Sequence, residues 1–171
     1  RSCAVEDKAI VFSITPKGNE KQLVVPFWAL PFDELNQIAF SSLGGTQAEA
    51  VREEIYKAKL AAKTHIATPI SDELVSADSP IPFSIKQLWY DLDRFERVTI
   101  KDKQTKSEAL ISEGCPENLK SAKFQTQGLG SSAPFLAPRR GIERNLTFLR
   151  GVLQDTRFKF LFAPDPYTPD K

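Results

Sequence analysis

Apolar and polar positions repeat along this chain with two periods, and the helical one dominates. Ala9-Ile10-Val11-Phe12-Ser13-Ile14 is a β-branched, apolar run that predicts a strand stopped by Pro16, Gly18 and Asn19. Leu23 to Leu30 is a second apolar run. Pro26 interrupts it, so it suits a buried edge strand, since proline donates no ladder hydrogen bond. Pro31 then opens a helix through Asp33-Glu34-Leu35, with Leu35, Ile38, Ala39 and Leu43 on one side. Its acidic first turn matches the helix dipole, and Gly44-Gly45 supply a C-cap. Thr46 and Glu49 stand at capping-box spacing. Ala48, Val51, Ile55, Ala58 and Ala62 recur at three- and four-residue intervals, predicting an amphipathic helix over 47–64 that packs on its predecessor as an α-hairpin.

Prolines 69, 80 and 82 make 65–82 a loop, with room for a helical turn at Asp72–Val75. Ser84 and Gln87 repeat the capping-box spacing, Phe83 can staple onto Leu88, and Ile85, Leu88, Trp89, Leu92 and Phe95 form the stripe of a three-turn helix. Residues 97–112 read as a small hairpin, with Val98-Thr99-Ile100 and Ala109-Leu110-Ile111 as its arms. From Pro116 to Pro138 the pattern is irregular. Ile142, Leu146, Leu149 and Leu153 then mark a last helix over 139–155, and Phe158-Lys159-Phe160-Leu161-Phe162 alternates like a strand. Pro164, Pro166 and Pro169 make 163–171 a flexible tail. The sum is a mainly α chain with a few short strands (α+β), a small helical bundle with a minor β-hairpin, in one domain or fragment spanning 1–171.

Composition narrows the function classes. At 41% hydrophobic and 26% charged residues, the chain has the mix of a globular protein rather than a disordered one. No apolar run approaches the roughly 18 residues of a membrane span, and no basic flank leads into an apolar signal core. The expectation is a cytoplasmic protein with no membrane partner. Methionine is absent and Arg1 leads the chain, which reads as a cut or cloning junction, hence a fragment or processed product. Cys3, Cys115 and the single histidine, His65, are too few for a disulfide scaffold or a four-ligand zinc site.

Candidate chemistry is sparse. Gly128-Leu129-Gly130-Ser131-Ser132 lacks the lysine and hydroxyl that a phosphate loop needs, and reads as a linker. His65, at a helix C-terminus, suits a dipole role. No serine lies in a nucleophile elbow. Catalytic residues are therefore assigned to none, and metal ligands to none. Charge is the remaining signal. Residues 97–150 carry ten Lys or Arg against five acidic residues, whereas 1–96 carry ten against fourteen. Lys101, Lys103 and Lys106 on the hairpin, Lys120 and Lys123 beyond it, and Arg139, Arg140 and Arg144 at the last helix are candidate contacts to a nucleic-acid backbone. A solvated face is the alternative. Arginine at a helix start opposes the dipole, so Arg139 and Arg140 call for an anion or another reason. The apolar run with Phe27 and Trp28 is the candidate surface for oligomerisation or a partner.

Several of these stretches, in order, resemble one family. Gln22-Leu23-Val24-Val25-Pro26-Phe27-Trp28-Ala29-Leu30-Pro31-Phe32-Asp33-Glu34-Leu35 is similar to the L-x-V/L-P-[FY]-W-x-L-x-x-x-E-L stretch of HerA-type ATPases of the HerA–FtsK superfamily. The helix over 47–64 is similar to the one that follows there. Ser79-Pro80-Ile81-Pro82-Phe83-Ser84 resembles their T-P-[VI]-P-[FY]-[SD] lead into another helix, and Leu153-Gln154-Asp155-Thr156-Arg157-Phe158-Lys159-Phe160-Leu161-Phe162 their L-x-D-x-R-[FY]-x-F-[LM]-F segment. The resemblance implies the helical insertion between Walker A and Walker B of a hexameric, DNA-translocating ATPase. Such a parent would bind ATP and Mg²⁺, have helicase-like activity, and work with other ring subunits, DNA and a partner nuclease. This chain contains neither Walker motif, so no catalytic residue transfers to it. The implied role is assembly, partner docking or DNA contact. A stand-alone α-rich protein–protein interaction module is the alternative.

Overall fold

Proline, acidic residues and a distant carboxylate together start the first long helix. In the computed structural model, which describes residues 10–65, 70–102, 104–126, 134–137 and 139–162, helix α1 spans Phe32–Phe40. Asp33 and Glu34 lie in its first turn, and the Asp78 carboxylate accepts the Phe32 N–H at 2.6 Å. The helix stops at Ser41 and Ser42, both left-handed (φ 54° and 59°), rather than at Gly44-Gly45. The Asn36 side chain holds this turn by donating to the Leu43 carbonyl and accepting its N–H. With the turn closed early, Gly44 becomes the N-cap of α2, Gly45–Ala62. No side chain caps that helix, so the expected Thr46–Glu49 box does not form as its cap.

Helix α3, Ile85–Arg97, starts as its spacing predicts, with Ser84 Oγ accepting the Gln87 N–H at 3.2 Å. Ser84→Ala is expected to lower the unfolding free energy by about 1 kcal/mol in urea titrations, and no change would remove the cap from the account. Helix α4 spans Glu143–Gln154. The Trp89 indole N–H donates to the Leu146 carbonyl at 3.1 Å, and Asn145 donates to the Phe40 carbonyl that ends α1. Both α1 and α3 thus pack on α4, with α2 against α3, instead of α1 and α2 forming a hairpin.

The expected strand at 158–162 is helical. Asp155 caps a 3₁₀ turn over Thr156–Phe158, which runs into α5, Lys159–Phe162. Leu161 and Phe162 are both buried, whereas a strand with one covered face would bury only every second residue. The Phe160 carbonyl accepts the Val25 N–H at 2.8 Å. That bond and Pro26 turn the run from Leu23 to Leu30 out of extended form into a 3₁₀ turn at Phe27–Ala29. Phe27 is therefore core, not a free surface. It is 1% exposed, with ring centroids of Phe83 and Phe162 at 5.2 and 5.6 Å, and Trp28 is half-buried against the same cluster.

Short strands complete a mainly helical α+β fold. β1 (Phe12–Ser13), shorter than its apolar run, pairs in parallel with β2 (Lys21–Gln22). β3 (Thr99–Asp102) lies antiparallel between β4 (Ser107–Glu108) and β7 (Phe135–Leu136), and β5 (Leu110–Ser112) pairs with β6 (Lys123–Phe124). The 116–138 stretch, expected to be irregular, supplies both β6 and β7. Residues 127–133, with the Gly128–Ser132 run, and the 163–171 tail lie outside the described residues. No helix among the described residues is long and apolar enough to cross a membrane.

Candidate nucleic-acid interface

The two antiparallel pieces are joined at Ala109. Its N–H donates to the Thr99 carbonyl and its carbonyl accepts the Gln125 N–H, while Thr99 Oγ1 donates to the Gln125 carbonyl. The result is a bent ribbon in which the β4-β3-β7 sheet and the β5-β6 pair meet at Ala109. Its tight turn is built by Asp102, whose carboxylate accepts from the Gln104 N–H and the Thr105 hydroxyl. Those bonds, the Gln104 amide first, hold the Asp102 carboxyl below its ordinary range.

On one face of the ribbon runs a groove of about 620 Å³, closed by the end of α3 and the start of α4. Lys123 and Arg139 line it together with Arg97, Ile111 and Leu136. Ile111 is 63% and Leu136 38% exposed, so apolar surface lies beside the cations. Arg97 was missed as an individual site residue in the sequence. It ends an amphipathic helix, and its place in the groove depends on where α4 and β7 pass. Its guanidinium meets Asp93 at 2.8 and 2.9 Å, and Arg139 meets Glu143 at 3.3 Å.

The remaining candidates divide by partner. Arg140 reaches Glu54 on α2 at 2.9 Å and stacks on the Phe95 ring at 4.3 Å, while its N–H and that of Gly141 donate to Glu96. These contacts give Arg139 and Arg140 a structural reason to precede α4, independent of an outside anion. Phe95, expected on the buried stripe, is 38% exposed beneath that guanidinium. Lys101, Lys106, Lys120, Lys123 and Arg144 are exposed and make no ion pair among the described residues. Lys106 sits at φ 52° in the ribbon's turn, and Lys120 closes a backbone bridge to Cys115. Lys103 and Cys3 lie outside the described residues, as does the His65 side chain.

The opposite sign gathers elsewhere. An open groove between α1, α2 and residues 75–78 is lined by Asp33, Glu49, Glu53 and Asp78, with Arg52 as its one cation among the described residues. Arg52 pairs with Asp33 at 3.0 Å and lies over Phe32 at 4.3 Å. Carboxylates thus dominate the α1–α2 groove, whereas the ribbon mixes Lys101, Lys106, Lys120 and Lys123, without ion pairs among the described residues, with Asp102, Glu108, Glu113 and Glu117. Cys115 Sγ donates to Glu117 at 3.1 Å and lowers that carboxyl. Among the described residues no three His, Cys, Asp or Glu cluster as metal ligands. In comparison with known proteins, no protein-family model and no curated protein matches the chain.

Proposed function

We propose that this chain is a helical insertion or accessory domain of a HerA-like, DNA-translocating ring ATPase, and that it contributes DNA contact through its β-ribbon. The ordered sequence resemblance supports the parentage. The observation that carries the DNA contact is the set of exposed lysines, Lys101, Lys106, Lys120 and Lys123, that make no ion pair among the described residues, while the neighbouring Asp102, Glu108 and Glu117 are engaged by Gln104, Arg94 and Cys115. Lysine is a flexible point charge that follows a phosphate backbone without demanding base identity. ATP and Mg²⁺ would be held by the parent, since the chain carries neither Walker motif. Other ring subunits and a nuclease would be the protein partners.

Fluorescence anisotropy with labelled DNA over a salt series tests the reading. Binding is expected to weaken steeply with salt. The triple variant K101E/K106E/K123E should lose more than about tenfold in affinity and flatten the salt slope by about one per phosphate contact removed. Absence of binding at low salt, or a triple variant that binds as well as the native chain, would remove the DNA role. The stand-alone interaction module would then be the better description.

A further inference from the structure

The groove between the ribbon, α3 and α4 joins two kinds of surface that duplex DNA does not satisfy together. Ile111 and Leu136 leave apolar side chains exposed in it, beside Arg97, Lys123 and Arg139. A duplex turns its phosphates outward and keeps its base faces stacked inside, so it offers apolar contact only at thymine methyls in its major groove. An unpaired strand carries a phosphate and an uncovered base face within each nucleotide. At about 620 Å³ the groove has the size of sites that enclose a drug-sized molecule, room for nucleotides of one strand and not for two paired strands.

Its cations are prepared for phosphate. Asp93, 4% exposed, accepts from Arg97 through Nε alone, at 2.8 and 2.9 Å. That buried carboxylate braces the guanidinium, and the two terminal nitrogens of Arg97 have no acceptor among the described residues. A guanidinium held this way loses little further freedom on binding, and its N–H groups match two phosphate oxygens at once. Lys123 adds an exposed point charge with no ion pair among the described residues. The groove's carboxylates are already engaged, Glu96 by the amides of Arg140 and Gly141 and Glu143 by Arg139. A ligand therefore meets positive charge next to apolar surface.

We propose that this groove binds single-stranded DNA in preference to duplex, with phosphate on the terminal nitrogens of Arg97 and on Lys123 and an unpaired base laid over Ile111 and Leu136. The inference rests on the DNA contact proposed above and adds strandedness to it. Every base has an apolar face, so the preference is for unpaired strands and not for a sequence.

Anisotropy with three labelled probes of equal length separates charge from bases: oligothymidylate, a duplex, and an abasic strand that keeps every phosphate. At equal salt, oligothymidylate should bind more than about tenfold more tightly than either of the others. The double variant I111S/L136S should weaken oligothymidylate by more than about fivefold. It removes no phosphate contact, so the salt slope and the affinities of the duplex and the abasic strand should stay unchanged. A duplex or abasic strand bound as tightly as oligothymidylate would overturn the preference, while salt-dependent binding would leave the DNA contact standing. A double variant that keeps its native affinity, or weakens all three probes alike, would overturn the assignment of the base to Ile111 and Leu136. Failure of all three probes to bind at low salt would overturn the DNA contact itself, and this inference with it.

Discussion

Replacing Lys59 with methionine is expected to lower the unfolding free energy by about 3 kcal/mol, a large share of what a domain of this size has. Lys59 is 1% exposed on α2, and its ammonium donates to the carbonyls of Ala77, Ser79 and Trp28 at 2.6, 2.7 and 3.2 Å. An ammonium has three donors and no acceptor, so the match to three carbonyls is complete. Those carbonyls belong to the loop before α3 and the turn that carries Phe27. Lys59 thus ties two irregular segments to a helix. Methionine keeps the hydrocarbon stem but leaves three carbonyls without a donor. A change below about 1 kcal/mol in urea unfolding would show that water replaces the lysine.

The same residue predicts a pH dependence. Burial pushes the Lys59 ammonium down from 10.5 to about 8, with the Asp78 carboxylate pulling the other way. Between those two values the unfolded chain still holds a proton that the folded protein has released, so stability rises with pH. Relative to Lys59→Met, the native chain should gain up to about 3 kcal/mol across this window. The gain is lost again as the pH falls through about 8. A stability difference that stays flat from pH 8 to 10.5 would show that Lys59 keeps its proton in the folded protein and that burial does not lower it.

Glu96→Ala is the second large expected effect, about 3 kcal/mol in the same measurement. Glu96 is 1% exposed near the end of α3, and its two oxygens accept the N–H groups of Arg140 and Gly141 at 2.9 and 3.0 Å. Gly141 stands at φ 74°, so the chain makes a sharp turn there, just ahead of α4. Alanine would orphan both amides and free the turn that sets Arg140 on Glu54 and Phe95. Glutamine keeps one acceptor and should recover about half the loss. Equal losses for both variants would point to packing instead of the amide contacts.

Neither residue was singled out in the sequence, for different reasons. Lys59 continues the Val51–Ile55 spacing by four more residues, so its inward phase is visible, but the apolar stripe passes through Ala58 and lysine is rarely buried. Glu96 gave no such sign. Its partners are backbone amides 44 and 45 residues away, and no side-chain pattern encodes a backbone amide. The groove was half legible. Lys123 and Arg139 came from the charge excess, while Arg97, Ile111 and Leu136 joined them only once the ribbon bent at Ala109.

Local chemistry by itself determined where most helices lie and which face each buries, because capping and a 3.6-residue stripe act within a few turns. The Ser84 cap, the Ile85–Leu92 face and the Ile142–Leu149 face of α4 are such cases. It also determined that cations gather after residue 97. Only the tertiary structure decided which helices meet, whether an apolar run becomes strand or helix, and which cations stay free. The run at 158–162 folded as a helix because Asp155 capped it and neighbouring side chains found the core. Phe27 went inside because Phe83 and Phe162 were there to receive it. Arg140 was taken by Glu54 and the lysines of the ribbon were not. Each of those outcomes depends on groups far apart in the chain, whose energies exist only after the chain has closed on itself.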